Sequence, residues 1–409
     1  MTSAALEVEP SCPGGPAAAP DPALPSAPPD RRVVAVRRPF GSIAPAVWDG
    51  LAARNPWATP FSRWAFHRAW WDAYGDSAHD QTMVVVDEAA DPTAEPIGIV
   101  PLMHRHAVEP TDTATQTTMR HGSAVELTPV PPTAKAVFFG ASYHADYATI
   151  LTGPAELPRV ARAIADALVG SAGEDEAHPE PWDVVDLRRL RCADPAAEEL
   201  AAAFGRHEVA AGWTLNLERE DVCPVTTIPE DAVNLDDFLA SLGKKERHEI
   251  RRKIRRAEAA GEVVLAGSTD PLADLDVFID LHQRKWGDRG LFPPTPGGGA
   301  SRVFIRRLFE GFGPDGSARL SFLTVGGHRL AAGITFEDGD TIAYYNAGVD
   351  PAARDLSPGV LMIAKYVERA IATGRRRLDF LRGNESYKYE WGAVDEPIQR
   401  LLVRRTVGP

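Results

Sequence analysis

The chain has 409 residues, is 44% hydrophobic and 25% charged, and carries a formal net charge of -13. That length admits two or three domains with sizeable cores. The acidic balance excludes a nucleic-acid surface spread over the whole molecule and leaves room only for a local basic patch.

Residues 1 to about 31 are Ala/Pro-rich, with eight prolines in "PSCPGGPAAAPDPALPSAPPD" and no aromatic residue. Such a segment cannot bury a core and reads as a disordered leader. A first half follows over 32–225. In it "QTMVVVDE", "PIGIVPLMHR" and "DYATILTG" read as strands, "ELPRVARAIADALVG" as a helix and "WDVVDLRRL" as a strand. "GSAGEDEAHPEP", residues 170–181, reads as an acidic surface loop.

The second half, 226–409, repeats that order. "ARLSFLTVGGHRLAAGITFEDGDTIAYYNAGVD" reads as three strands joined by the turns "GGH" and "EDGD". A helix, "SPGVLMIAKYVERAIATG", and a strand, "RRLDFL", come next. The pattern implies an α/β (α+β) fold made of two copies of one unit, with a mixed sheet in each.

Between the halves lies "NLDDFLASLGKKERHEIRRKIRRAEAAGEVVL". Leu239, Leu242, Ile250, Ile254 and Ala257 form a narrow apolar stripe at helical spacing. Asp236 or Asp237 suits the helix start, Gly261 the end, and Gly243 divides it into two. Eight of the thirteen residues 244–256 are Lys or Arg. They read as the solvated side of this helix or as a platform for an anionic substrate. No helix-turn-helix or zinc-finger pattern accompanies them, so no DNA partner is expected. The stripe is too narrow for stable membrane insertion.

Three cysteines, Cys12, Cys192 and Cys223, are too few for a disulfide framework and fit a reducing cytoplasm. No apolar run is long enough to span a membrane, and the N-terminus lacks the basic and apolar regions of a signal peptide. The histidines are scattered, so no metal site is expected.

The densest cluster of polar and aromatic side chains is "DFLRGNESYKYEWG", 379–392, directly after a predicted strand. Upstream, Ser357 suits a helix cap and Pro358 the first helical position. Gly359 leaves first-turn amides, its own and that of Val360, open to a phosphate. The matching helix of the first half starts "GPAELPRV" and puts Glu156 where an anion would sit. The second half is therefore the one expected to work. "PTPGGGAS", 294–301, lacks the Lys-Ser/Thr of a phosphate-binding loop and reads as a flexible lid.

The string "LSPGVL…ERAIATGRRRLDFLRGNESYKYEWG" resembles GNAT-fold acetyltransferases of the group associated with cellulose and exopolysaccharide biosynthesis, which is related to Fem-type aminoacyl transferases. "SLGKKERHEIRRKIRRAEAAGEV", "NPWATPFSRWAFHRAWWDAYG" and "FFGASYHADYATIL" are similar to other segments of that group, and the resemblance covers roughly 32–405. It implies two tandem GNAT-like units, an acyl-CoA cosubstrate such as acetyl-CoA, and transfer to the amine of a small molecule or sugar. It further implies that Arg354, Ser357, Pro358, Gly359 and Val360 hold the cofactor. Glu385 is the implied base, Tyr387 the acid, and Lys388 a holder of substrate phosphate or carboxylate. From the residues themselves, Trp286, Tyr345, Asn346 and Arg382 are the candidate substrate contacts. His144, Asp146 and Tyr147 shape the acceptor side. One departure stands out: "RDLSPG", 354–359, has a single glycine where the family's phosphate turn carries Arg/Gln-x-x-Gly-x-Gly/Ala. Two alternatives remain open: an aminoacyl-tRNA-dependent transferase, with tRNA on the basic helix, and a non-catalytic scaffold.

Overall fold

The computed structural model describes residues 32–87, 95–105, 127–131, 133–170, 182–207 and 213–405. The leader and residues 171–181 of the acidic loop lie outside the described residues.

The first half contains β1 (Val33–Arg37), α1 (Pro45–Ala52), α2 (Trp64–Tyr74), β2 (Ala78–Asp80), β3 (Met83–Asp87), β4 (Gly98–Val100), β5 (Leu102–Arg105) and β6 (Ala136–Phe139). It continues with β7 (Leu151–Thr152), α3 (Leu157–Gly170), β8 (Val184–Arg191), α4 (Ala196–Gly205) and β9 (Trp213–Thr227). β9 crosses the 225/226 division. The second half holds α5 (Leu235–Ser241), α6 (Lys244–Ala260), β10 (Val263–Gly267), α7 (Pro271–Trp286), α8 (Pro296–Phe312), β11 (Ala318–Val325), β12 (His328–Asp338) and β13 (Thr341–Val349). A short 3-10 turn (Pro351–Leu356) leads to α9 (Pro358–Ala372), β14 (Arg377–Asp379), α10 (Ser386–Tyr389) and β15 (Val394–Arg405).

Eleven strands form one mixed sheet in the order β10-β11-β12-β13-β14-β9-β15-β8-β6-β5-β2, and β1-β3-β4-β7 form a separate antiparallel sheet. Each half has one parallel pair reached through a helix: β6 with β8 by way of α3, and β13 with β14 by way of α9. The last strand ties the halves together. β15 pairs with β9 along its whole length and with β8 on its other side. The central core also crosses the division, with Phe61, Phe66 and Trp70 packed among Phe304, Phe309, Phe312 and Phe336.

Local physics explains the elements nearest the site. In α6 only Ile250 and Ala257 are fully buried, so the helix rests on its narrow stripe and shows its charges to water. Gly243 and Gly261 bound it. The start of α5 corrects the expected cap: Asn234 accepts a hydrogen bond from the Asp237 amide at 3.0 Å, ahead of either aspartate. The expected lid is corrected as well. Thr295 caps α8, Pro296 opens it, and a Cβ on Gly298 would collide with the Pro293 carbonyl. Gly298 permits close approach of the chain within a helix start, and the segment is helical rather than a loose flap. Cys223 is a buried free thiol. Among the described residues no helix is long and apolar enough to cross a membrane, and no group of three metal-ligating side chains is gathered.

Candidate active site

β13 and β14 pair over three residues only, Thr341–Ala343 with Arg377–Asp379, and then part. On β12, Ile334 pairs with Asn346 and Thr335 with Tyr344, so Tyr345 is an extra residue, a bulge that bends β13 at the parting point. Tyr344 faces α9, with its ring 5.4 Å from that of Tyr366 and its hydroxyl 3.6 Å from Met362 Sδ. Tyr345 faces the other way, into Phe61 and Phe336, and its hydroxyl donates to the His144 carbonyl at 3.0 Å. Burial pushes both phenols well above their ordinary range.

The start of α9 lies beyond the end of β13. Pro358 takes the first position as expected. Ser357 is left-handed, with φ 54° and ψ 52°, and its hydroxyl does not cap the helix. Instead the hydroxyl accepts a hydrogen bond from Arg256 Nη2 at 2.9 Å. The basic helix α6 thus delivers a guanidinium to the positive end of a fifteen-residue helix. The space beside Gly359 is open, with nothing within 4 Å of a Cβ built there. The Val360 amide already donates to the Ser357 carbonyl at 3.0 Å, and Arg354 is exposed on the 3-10 turn, its carbonyl accepting from Ser357 N. In the first half, Glu156 at the matching helix start pairs with Arg159 at 2.8 Å.

The other wall of the parting is the loop after β14. Leu381 and Gly383 adopt φ of 57° and 101°, conformations that fold the chain back sharply. Lys388 holds that loop from α10. It is buried, and its ammonium donates to the carbonyls of Leu381, Arg382 and Gly383 at 3.0, 3.1 and 2.7 Å. Glu385 Oε2 lies 3.0 Å from the same ammonium, in an ion pair. Glu385 is also within Coulombic reach of Lys285, whose ammonium lies 4.6 Å over the Trp286 ring at the end of α7. Tyr387 sits on the opposite side. Its ring meets Phe380 edge-on at 6.1 Å, and it lies close enough to Tyr344 for the two phenols to disfavour each other's ionisation. The loop therefore presents a carboxylate toward α7 and a phenol toward α9.

Residues 244–389 match the acetyltransferase (GNAT) domain family. The match runs from the first residue of the basic helix to the last residue of α10, so β13, β14, α9 and the loop after β14 lie inside it, while β9 and β15 lie outside. It supports an acyltransferase-type function. A crystal structure of FemX has a similar fold, with 12% identity, covering 87% of this chain and 96% of that chain at a TM-score of 0.51. A conserved protein of unknown function from Bacteroides thetaiotaomicron VPI-5482 is similar too, with 13% identity, 89% and 98% coverage and a TM-score of 0.50. No curated protein matches the sequence. The fold is mixed α/β, with a parallel strand pair joined through a helix in each half, and the GNAT-family match lies in the second half.

The predicted residues fall into three groups. The GNAT domain brings Ser357, Pro358, Gly359, Asn346, Glu385, Tyr387 and Lys388 to the parting of β13 and β14. Asn346 bonds the Ala347 amide through Oδ1 and also meets His282, whose imidazole burial holds down to about 4, hence neutral. A second group is engaged in joining the halves. Arg382 Nε donates to Asp146 Oδ1 at 3.3 Å, and His144 bonds the Tyr74 hydroxyl at 2.8 Å while stacking on Phe304. Arg354 and Trp286 form the third, at the exposed rim. Arg256, Lys285 and His282 were not singled out from the sequence. The eight Lys and Arg among residues 244–256 did show that α6 carries charge, but not which charge met α9.

Proposed function

We propose that this protein is an N-acyltransferase that moves an acyl group from acyl-CoA to the amine of a small molecule or amino sugar. The observation that carries the reading is the start of α9. A helix N-terminus, an open glycine and the Arg256 guanidinium converge beside the parting strands, inside the region matched by the GNAT family. That combination suits a pyrophosphate. An acyl-pantetheine arm running from it into the parting would place its carbonyl between Glu385 and Tyr387. Glu385 takes a proton from the acceptor ammonium, and the neutral nitrogen attacks the thioester carbonyl. The C–N bond forms, the C–S bond breaks, Tyr387 supplies a proton to the leaving thiolate, and the second proton shed by the new amide nitrogen returns to the Tyr387 phenolate. Positioning accounts for most of the remaining rate. Lys388 shapes the loop that carries both groups.

The test is the melting temperature with acetyl-CoA, other acyl-CoAs and free CoA, for the wild type and for Gly359→Glu and Arg256→Glu. At 100 times the dissociation constant, binding adds about 2.7 kcal/mol, a rise on the order of 4 °C. A rise lost in both variants supports the reading. Absence of any rise with several acyl-CoAs sinks it.

A second reading rests on the exposed cations of α6 and the likeness to FemX. Under it the donor is an aminoacyl-tRNA, and binding of charged tRNA falls steeply with salt.

A further inference from the structure

A cavity of about 860 Å³ lies between the halves, within the size range of small-ligand sites. Trp57, Phe61 and Phe336 line it, and so do Ala343 and Asp379, the last paired residues before β13 and β14 part.

Asp379 is 1% exposed. Its Oδ2 accepts from the Tyr147 hydroxyl at 2.8 Å and its Oδ1 from the Leu381 amide at 2.7 Å. Arg191 stays 3.9 Å away, with its guanidinium over the Tyr147 ring. Two neutral donors therefore hold a buried carboxylate whose cation stands outside hydrogen-bond reach. Five carboxylates line the cavity, Asp338, Asp340, Asp379, Asp395 and Glu396, against two guanidiniums, Arg191 and Arg377. Arg377 is ion-paired with Glu396. The charge balance favours a cation, and the aromatic walls favour an organic one.

We infer that this cavity receives the acceptor, a primary ammonium on an apolar or sugar-ring body, with its charge set on Asp379. This rests on the acyltransferase reading and names the side from which the amine arrives. Leu381 also lines the cavity and belongs to the loop that Lys388 ties to Glu385. An ammonium on Asp379 is thus led toward the loop that carries the proposed base. Burial pushes the Asp379 carboxyl up, and Arg191 only partly offsets that, so a bound cation supplies the missing counter-charge.

The test uses the full chain without acyl-CoA. Melting is followed with 2-phenylethylamine and glucosamine, and with their neutral counterparts 2-phenylethanol and glucose, at fixed ionic strength. The variants are Asp379→Asn and Ala193→Trp. Ala193 is exposed at the cavity rim, so the indole blocks the opening without entering the core. The expected result is a rise on the order of 5 °C with an amine and none with its neutral counterpart. Both variants lose that rise and keep the rise with acetyl-CoA. Equal shifts from the neutral compounds, no shift from either amine, or an amine shift retained in Ala193→Trp overturns the inference. If Asp379→Asn fails to fold, Ala193→Trp alone decides. A wild type that ignores acyl-CoA but binds the amines sinks the acyltransferase reading and leaves the cation site standing.

Discussion

Replacing Lys388 with methionine keeps the apolar stem and deletes the ammonium. Three carbonyls at 2.7–3.1 Å and the Glu385 carboxylate at 3.0 Å lose their shared partner. Hydrogen bonds to a charged donor contribute about 1.5–3 kcal/mol each. They do not add here, because Glu385 is about one-third exposed and turns to water once freed. The loop must still hold Leu381 and Gly383 at positive φ without its clamp. Breaking a buried pair costs about 3–5 kcal/mol, and that range is the expected loss. For a body of this size it lowers the melting temperature by on the order of 4–7 °C. The assay is guanidinium and thermal unfolding of the ligand-free chain. A variant within about 1 kcal/mol of wild type would refute the argument. It would mean that Lys388 is held in reserve for a ligand and is not the brace of the loop.

Three further expectations follow from the geometry. Gly348→Ala drives a Cβ into the backbone of α7 at Leu281 and His282, so β13 and α7 must separate. A loss of about 3 kcal/mol or more is expected in chemical unfolding. Glu385→Gln lowers kcat/KM for acyl transfer by roughly 10²–10⁴ while leaving the melting shift with acetyl-CoA in place; loss of both together would count against a proton-transfer role. Acid weakens the fold through His67 and His144, both fully buried and held neutral to about 3 by desolvation. Unfolded histidines protonate near 6.5. The unfolded chain therefore binds more protons, and stability is lost as the pH falls from 6.5 toward 3. At pH 4.5 each histidine costs about 3 kcal/mol. A His144→Asn variant with an unchanged pH slope between 7 and 4.5 would exclude its share.

The elements with local causes were the legible ones. The stripe through Ile250, Ile254 and Ala257 with glycines at both ends specified α6 and its break at Gly243. The turns of "GGH" and "EDGD" marked the β11–β12–β13 meander, and Gly326, Gly327 and Gly339 all adopt positive φ there. Ser357-Pro358 marked the start of α9. The pairing of β15 with both β9 and β8 was not legible, because register between distant strands leaves no local trace. Its residues also break the usual pattern. Gln399 and Arg400 are buried, and Arg400 is held by Asp186 at 2.7 and 2.8 Å and by Glu218 at 3.2 Å, so charge stands where an apolar alternation would signal a strand. The candidate site was half legible for the same reason. The cluster after β14 announced itself by composition. The commitment of Lys388 to three carbonyls, and the meeting of Arg256 with Ser357 across 101 residues, depend on the folded path.

The placement of β15 sets the order in which the molecule is completed during synthesis. Without it the large sheet is two separate pieces, six strands from β10 to β9 and four from β8 to β2, and β8 and β9 have no common neighbour. A ribosome that has made everything up to Val394 has thus made both halves and joined neither sheet edge. The twelve residues of β15 act as a zip between them, so their removal exposes two long bare strands to other chains.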